Sequence, residues 1–153
     1  MADAIFPVIP TDIPAQAAET VGRSPAFAFD STSSRRGAFQ LVDGALVERT
    51  GKEAVRQWFE LMLRQKPGAI PVYRTDSSSQ PGVDRTMLDR RMPDGWVQAE
   101  IERQVRETAA FCPAVRAVDS FVFTRLRRGL QVEFTAYLHT DETVEVSTYV
   151  DSE

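Results

Sequence analysis

The sequence is poor in the residues that metal and redox chemistry need: 153 residues hold one cysteine, Cys112, and one histidine, His139. A lone cysteine cannot close an internal disulfide, and a lone histidine cannot anchor a histidine-rich metal site. No apolar run approaches the roughly 20 residues that a membrane-spanning helix requires. The opening stretch MADAIFPVIP lacks a basic start and a long apolar core, so no secretory signal is visible and folding in a cytoplasm is expected. Positive charge is also short: 18 Lys and Arg stand against 22 Asp and Glu, a net −4, which argues against a nucleic-acid partner. Arginines do gather locally at Arg35 and Arg36, and again at Arg125, Arg127 and Arg128, but no aromatic residues interleave with them as base-stacking platforms would.

Catalytic patterns are missing too. There is no glycine-rich phosphate loop and no Gly-x-Ser-x-Gly elbow. Carboxylates are plentiful, yet Glu100 and Glu102 lie two apart on a predicted helix and face different directions. Asp84, Asp89 and Asp94 fall in or beside an arginine-rich loop, and Glu60 is expected on the exposed side of a helix. No pair suits the opposed carboxyl groups of a glycosidase. Cys112 reads as a small buried hydrophobe at a helix end, and His139 as an exposed residue beyond an apolar strand face. No catalytic residue, cofactor or metal is expected.

What is present points to one α+β domain. Residues 1–26 space Pro7, Pro10, Pro14 and Pro25 through a weakly periodic stretch, which favours an extended N-terminal arm; residues 27–153 are expected to form the domain. Phe39, Leu41, Leu46 and Val47 flank Asp43-Gly44, a hairpin signal. Thr50 and Glu53 suggest a capping box before a helix whose apolar positions are Ala54, Val55, Trp58, Phe59, Met62 and Leu63, stopped by Pro67-Gly68. Ile70 to Tyr73 reads as extended, and a helical turn is suggested near Arg85 to Arg91. A second main helix is expected with Asp94 as cap and Val97, Ile101, Val105, Ala109 and Cys112 in its stripe. Three strands end the chain: AVDSFVFTRL, GLQVEFTAYLH and TVEVSTYV, the last with Val144, Val146, Thr148 and Val150 on one side. The fold class that follows is a small, mainly antiparallel sheet with two main helices on one face.

The run VDGALVERTGKEAVRQWFELMLRQKPGAIPVY, followed by IERQVRETA, PAVRAVDSFVF and the alternating last strands, resembles the baseplate wedge proteins of contractile phage tails. The likeness covers about residues 27–147 and is strongest to the XkdS-like branch of the sheath-initiator family, historically named lysozyme-like. It implies a structural virion component without enzymatic activity, in six copies per tail baseplate, assembled in the host bacterial cytoplasm. The partners it implies are the baseplate wedge subunits, the tail sheath protein and the tail tube or hub, with no nucleic acid or membrane. It also implies that the first ring of sheath adds to an edge strand. Here that strand is the last one, with Val144, Glu145, Val146, Ser147, Thr148 and Tyr149 as candidate contacts. Glu142, Glu145 and Asp151 would discourage indiscriminate pairing. Many family members carry a Glu-Pro-Arg motif that engages the wedge, and this chain has none; Arg74, Arg85, Arg90 and Arg91 are the substitute anchors. The competing expectations are a peptidoglycan hydrolase, as the old family name suggests, and an adaptor of a non-contractile assembly.

Overall fold

A computed structural model describes residues 22–29, 37–73, 80–89, 92–127 and 129–151. Most of the predicted N-terminal arm therefore lies outside the described residues. Its last residues do not behave as an arm, because the strand β1 (Ser24–Pro25) pairs with β6 (Glu48–Arg49). Ala26 beside it has no exposed surface. Proline content misleads here, since Pro25 sits at an edge where a missing N–H costs nothing.

Two further short ladders share this region. β2 (Phe27–Phe29) pairs with β3 (Gly37–Phe39), and β4 (Leu41–Val42) pairs with β5 (Ala45–Leu46). The β4–β5 hairpin turns at Asp43 and Gly44, both with positive φ (51° and 80°), as the Asp-Gly signal required. The three ladders meet in a ring of backbone hydrogen bonds: Ala26 N–H donates to Val47 O (2.7 Å), Val47 N–H to Gln40 O (3.0 Å), and Gln40 N–H to Ala26 O (2.8 Å). Each residue of the ring donates once and accepts once, so the junction leaves none of these N–H groups orphaned.

The helix α1 (Gly51–Met62) follows, and its buried residues match the apolar spacing, with Gln57 added. The capping box does not form. Thr50 makes no side-chain cap bond, and the Glu53 carboxylate pairs with Arg56 at 2.8 Å. Pro71–Tyr73 is a 3-10 turn rather than a strand, and Ile70 and Val72 are exposed. Proline's fixed φ suits the start of such a turn. The short α2 (Thr86–Asp89) falls where a helical turn was predicted. The helix α3 (Asp94–Ala109) starts one residue earlier than expected, with Pro93 at the cap position and Asp94 already inside. The Asp94 carboxylate is paired with Arg125 instead of capping.

β7 (Val115–Leu126), β8 (Gly129–Leu138) and β9 (Thr143–Asp151) form one antiparallel sheet in the order β7-β8-β9. The molecule is thus α+β, as the pattern required. α1 packs against β9 and α3 against β7. Between helices and sheet lies one core that includes Val55, Phe59 and Leu63 of α1, Val97, Ile101 and Val105 of α3, and the inward row Leu130, Val132, Phe134, Ala136 and Leu138 of β8. Each of these side chains larger than alanine contributes about 1.5–3 kcal/mol when fully buried. Cys112 joins this core, and burial pushes its thiol pKa up, which suits packing and not nucleophilic work.

The link from α1 to α3 is stitched by polar groups. Val83 N–H donates to Gln65 O (3.0 Å), Gly82 N–H to Thr108 Oγ1 (3.0 Å), and Asp84 N–H to Gln104 Oε1 (2.7 Å). Gly82 has φ +130°, and a Cβ there would stand 2.6 Å from Gln65 O, so only glycine fits.

Along α3, Arg103 bonds Glu100 (2.5 Å) and also pairs with Glu107. The hydrogen bond from Arg103, helped by one from Gln104, lowers the Glu100 pKa to about 2. A carboxylate depressed in the folded state stabilises above its unfolded pKa and loses that contribution as pH falls through the folded one. Glu100→Gln is therefore expected to cost up to about 1 kcal/mol at neutral pH, a surface-pair magnitude. Urea titrations should show the difference from the parent vanish between pH 4.5 and about 2. A difference that persists unchanged at the acid end would contradict this origin.

Candidate docking edge

The register of β9 decides which backbone groups it can offer. The β8–β9 turn closes with Leu138 N–H donating to Glu142 O (2.9 Å) and Asp141 N–H to Leu138 O (3.2 Å), with Asp141 at φ 61°. In an antiparallel ladder hydrogen-bonded pairs recur every second residue. The pairs Ala136 with Val144, Phe134 with Val146, Val132 with Thr148 and Leu130 with Val150 therefore spend their backbone groups on each other. Thr143, Glu145, Ser147 and Tyr149 point theirs outward, away from β8.

The six residues predicted for this edge divide accordingly. Val144, Val146 and Thr148 are buried at 1%, 1% and 3% exposure and serve the core. Glu145, Ser147 and Tyr149 stay with the edge, and Thr143 joins them. Side-chain alternation alone did not reveal this division of backbone groups; the three-residue turn at His139 to Asp141 sets it. On the outer face Ser147 Oγ accepts from Gln131 Nε2 (3.1 Å) and donates to Glu133 Oε1 (3.3 Å), so the strand is held in register there as well.

The edge is not bare. Arg56 Nε on α1 donates to the outward carbonyl of Glu145 at 3.1 Å, and Lys52 Nζ lies 3.3 Å from Glu142 Oε1. A depression of about 530 Å3 includes Arg56, Glu60, Glu133, Glu145 and Ser147 in its lining. Partial burial raises the Glu60 pKa, an effect that nearby Arg64, Arg49 and Arg56 offset in part. Glu60 is thus half-buried, not on an open helix face as the sequence suggested.

The opposite edge belongs to β7 and is closed more thoroughly. The ladder skips between Asp119 and Val122, where Ser120 takes φ 60°. Such a bulge bends an edge and interrupts its hydrogen-bonding row. Arg106 of α3 donates through Nη1 to Val118 O (2.6 Å), lies 5.1 Å above the Phe121 ring, and is held by Glu102 at 2.7 Å.

The proposed wedge anchors fare differently. Arg74, Arg90 and Arg91 lie outside the described residues. Arg85 is only 5% exposed, and one of its contacts is Nη2 on Leu63 O (3.5 Å), so it is an internal residue and not a surface anchor. A buried arginine could not be told from an exposed one by its sequence neighbours. A surface the sequence did not single out is the β4–β5 hairpin with Phe39, where Phe39, Leu41, Val42 and Leu46 are each more than half exposed.

Among the described residues no group of three His, Cys, Asp or Glu side chains is placed to hold a metal, and no helix is long and apolar enough to cross a membrane. Comparison with protein-family models and with curated proteins finds no match to this chain.

Proposed function

We propose that this chain is a structural baseplate protein of a contractile tail or injection particle, joining inner wedge subunits to the first ring of sheath and starting sheath assembly by strand addition. The observation that carries the reading is the outward row of backbone groups at Thr143, Glu145, Ser147 and Tyr149, on a strand whose inner side is locked into the core. An edge of this kind recruits an extended segment through main-chain hydrogen bonds. The resemblance of the element order to sheath initiators supplies the identity of the partner. Glu100 and Glu102 lend the hydrolase alternative no support, since both are engaged by arginines along α3.

Removing the strand outright would be a poor test, because Val144, Val146 and Val150 would leave the core with it. Ser147→Pro is cleaner. It removes an outward N–H along with the Oγ bonds to Gln131 and Glu133, leaves the backbone ladder to β8 intact, and places proline where sheets tolerate it. Purified baseplates carrying this variant are expected to incorporate the protein yet fail to start a sheath when sheath protein is added. Normal sheath growth on such baseplates would refute strand addition at β9.

A further inference from the structure

Both edges of the sheet are closed by an arginine from the nearer helix, each on one outward carbonyl: Arg56 on Glu145 O and Arg106 on Val118 O. The two closures are not equivalent. Arg106 is fixed by Glu102 and by Asp119 at 3.4 Å, stacks on Phe121, and guards a strand already bent by its bulge. Among the described residues Arg56 has one carboxylate partner, Glu53, against the two that hold Arg106. β9 pairs with β8 without a register shift from Gly129 to Tyr137.

We propose that Arg56 is a displaceable latch on β9: it occupies the Glu145 carbonyl in the free protein and must leave before an extended strand of another chain can pair there. The occupant is a strand that carries no helix on its inner side. α1 packs on β9, with Lys52 and Arg56 reaching the edge, so a bare segment enters more easily than a second folded sheet. Charge is a secondary determinant, since Lys52 and Arg56 stand among Glu53, Glu142 and Glu145 around the latch, which leaves no strong field of either sign. The incoming backbone supplies an N–H to Glu145 O, and Arg56 retains Glu53. The exchange is thus of one donor for another, and its balance is what the latch sets.

The sequence of β9 itself provides a probe. Laid antiparallel on the edge and centred on Val146, a copy of TVEVSTYVD sets Glu145 opposite Ser147 in both directions and Tyr149 opposite Thr143, with no like charges facing between Thr143 and Tyr149. A fluorescent peptide of this sequence, titrated against the full chain and followed by anisotropy, should bind Arg56→Ala about tenfold more tightly than the parent. Arg106→Ala should show no such gain. Ser147→Pro, alone or added to Arg56→Ala, should abolish binding. Arg56→Lys, which keeps the charge but lacks Nε, serves as a second variant and should also bind more tightly. Circular dichroism establishes that each variant is folded.

Equal affinity of the parent and both Arg56 variants would overturn the latch. So would an equal gain in Arg106→Ala, or binding that survives Ser147→Pro. The proposal rests on β9 being a docking edge, and the two fail separately. If Ser147→Pro stops sheath initiation while the Arg56 variants bind like the parent, the edge stands and the latch falls. If Arg56→Ala gains peptide affinity but Ser147→Pro baseplates still grow sheath, the edge opens as described but does not serve the sheath.

Discussion

Phe59→Ala is expected to lower the stability of the protein by about 3–5 kcal/mol, the range for emptying a large aromatic site in a packed core. Phe59 has no exposed surface. Its ring meets Phe134 edge-on at 5.2 Å, and Trp58 at 5.0 Å. Phe134 in turn stacks on Phe121 at 5.3 Å, so the residue links α1 through β8 to the bulge of β7. Truncation removes the transfer free energy and leaves a cavity that three elements cannot close without moving. Against a typical total of about 5–15 kcal/mol the loss is severe. Thermal unfolding by circular dichroism should show a midpoint lower by about 6–20 °C, at roughly 2–4 °C per kcal/mol for a chain of this size. Leu61→Ala, on the exposed side of the same helix, is the control and should move it little. A Phe59→Ala midpoint within two or three degrees of the parent would mean that α1 is not clamped to the sheet by this ring.

The sheet was legible in the sequence and its edges were not. Strict alternation from Leu130 to Leu138 has one physical solution, a strand with one buried face, and β8 adopts it. Asp43-Gly44 likewise left little choice, because positive φ at both positions favours a two-residue hairpin. Helix stripes were read correctly wherever hydrophobicity alone decides burial, as at Val55, Phe59, Ile101 and Val105. The failures at side chains involve polar groups whose actual partner a local pattern does not single out. Glu53 was assigned to Thr50 by a local rule but is taken by Arg56. Arg85 was assigned to solvent by its charge but is enclosed beside Leu63. Arg56 and Arg106 were not singled out, since an arginine that caps a strand edge looks in sequence like any solvated helix residue. The ring at Ala26, Gln40 and Val47 joins residues up to 21 apart (47 − 26) through backbone alone, and no side-chain pattern marks it.

Gln57 shows how such a hidden polar residue organises the molecule. It sits on the apolar stripe of α1 at 1% exposure, where periodicity would place a leucine. Its Oε1 accepts from Phe27 N–H (2.8 Å), while Nε2 donates to Pro25 O (2.7 Å) and Ser24 Oγ (2.9 Å). One amide thus ties the helix to both sides of the three-ladder junction, and it does so with a donor and an acceptor that no charged residue can imitate together. Gln57→Leu keeps the volume but strands the partly buried Phe27 N–H and Pro25 carbonyl, at up to about 1–3 kcal/mol for each group. The cost falls on the contact between junction and helix rather than on the β7–β9 core, so local opening should precede global unfolding. Amide exchange is expected to quicken sharply at Ala26, Phe27, Gln40 and Val47 while Val132, Phe134 and Val146 keep their protection. Gln57→Glu should behave similarly, because its carboxylate still accepts from Phe27 but faces the Pro25 carbonyl with a lone pair. If exchange instead quickens equally in the junction and in β8, the two regions form one cooperative unit and Gln57 is an ordinary core residue. If neither changes, Arg64 over the Phe29 ring, 3.7 Å from its centroid, holds the junction without help from the amide.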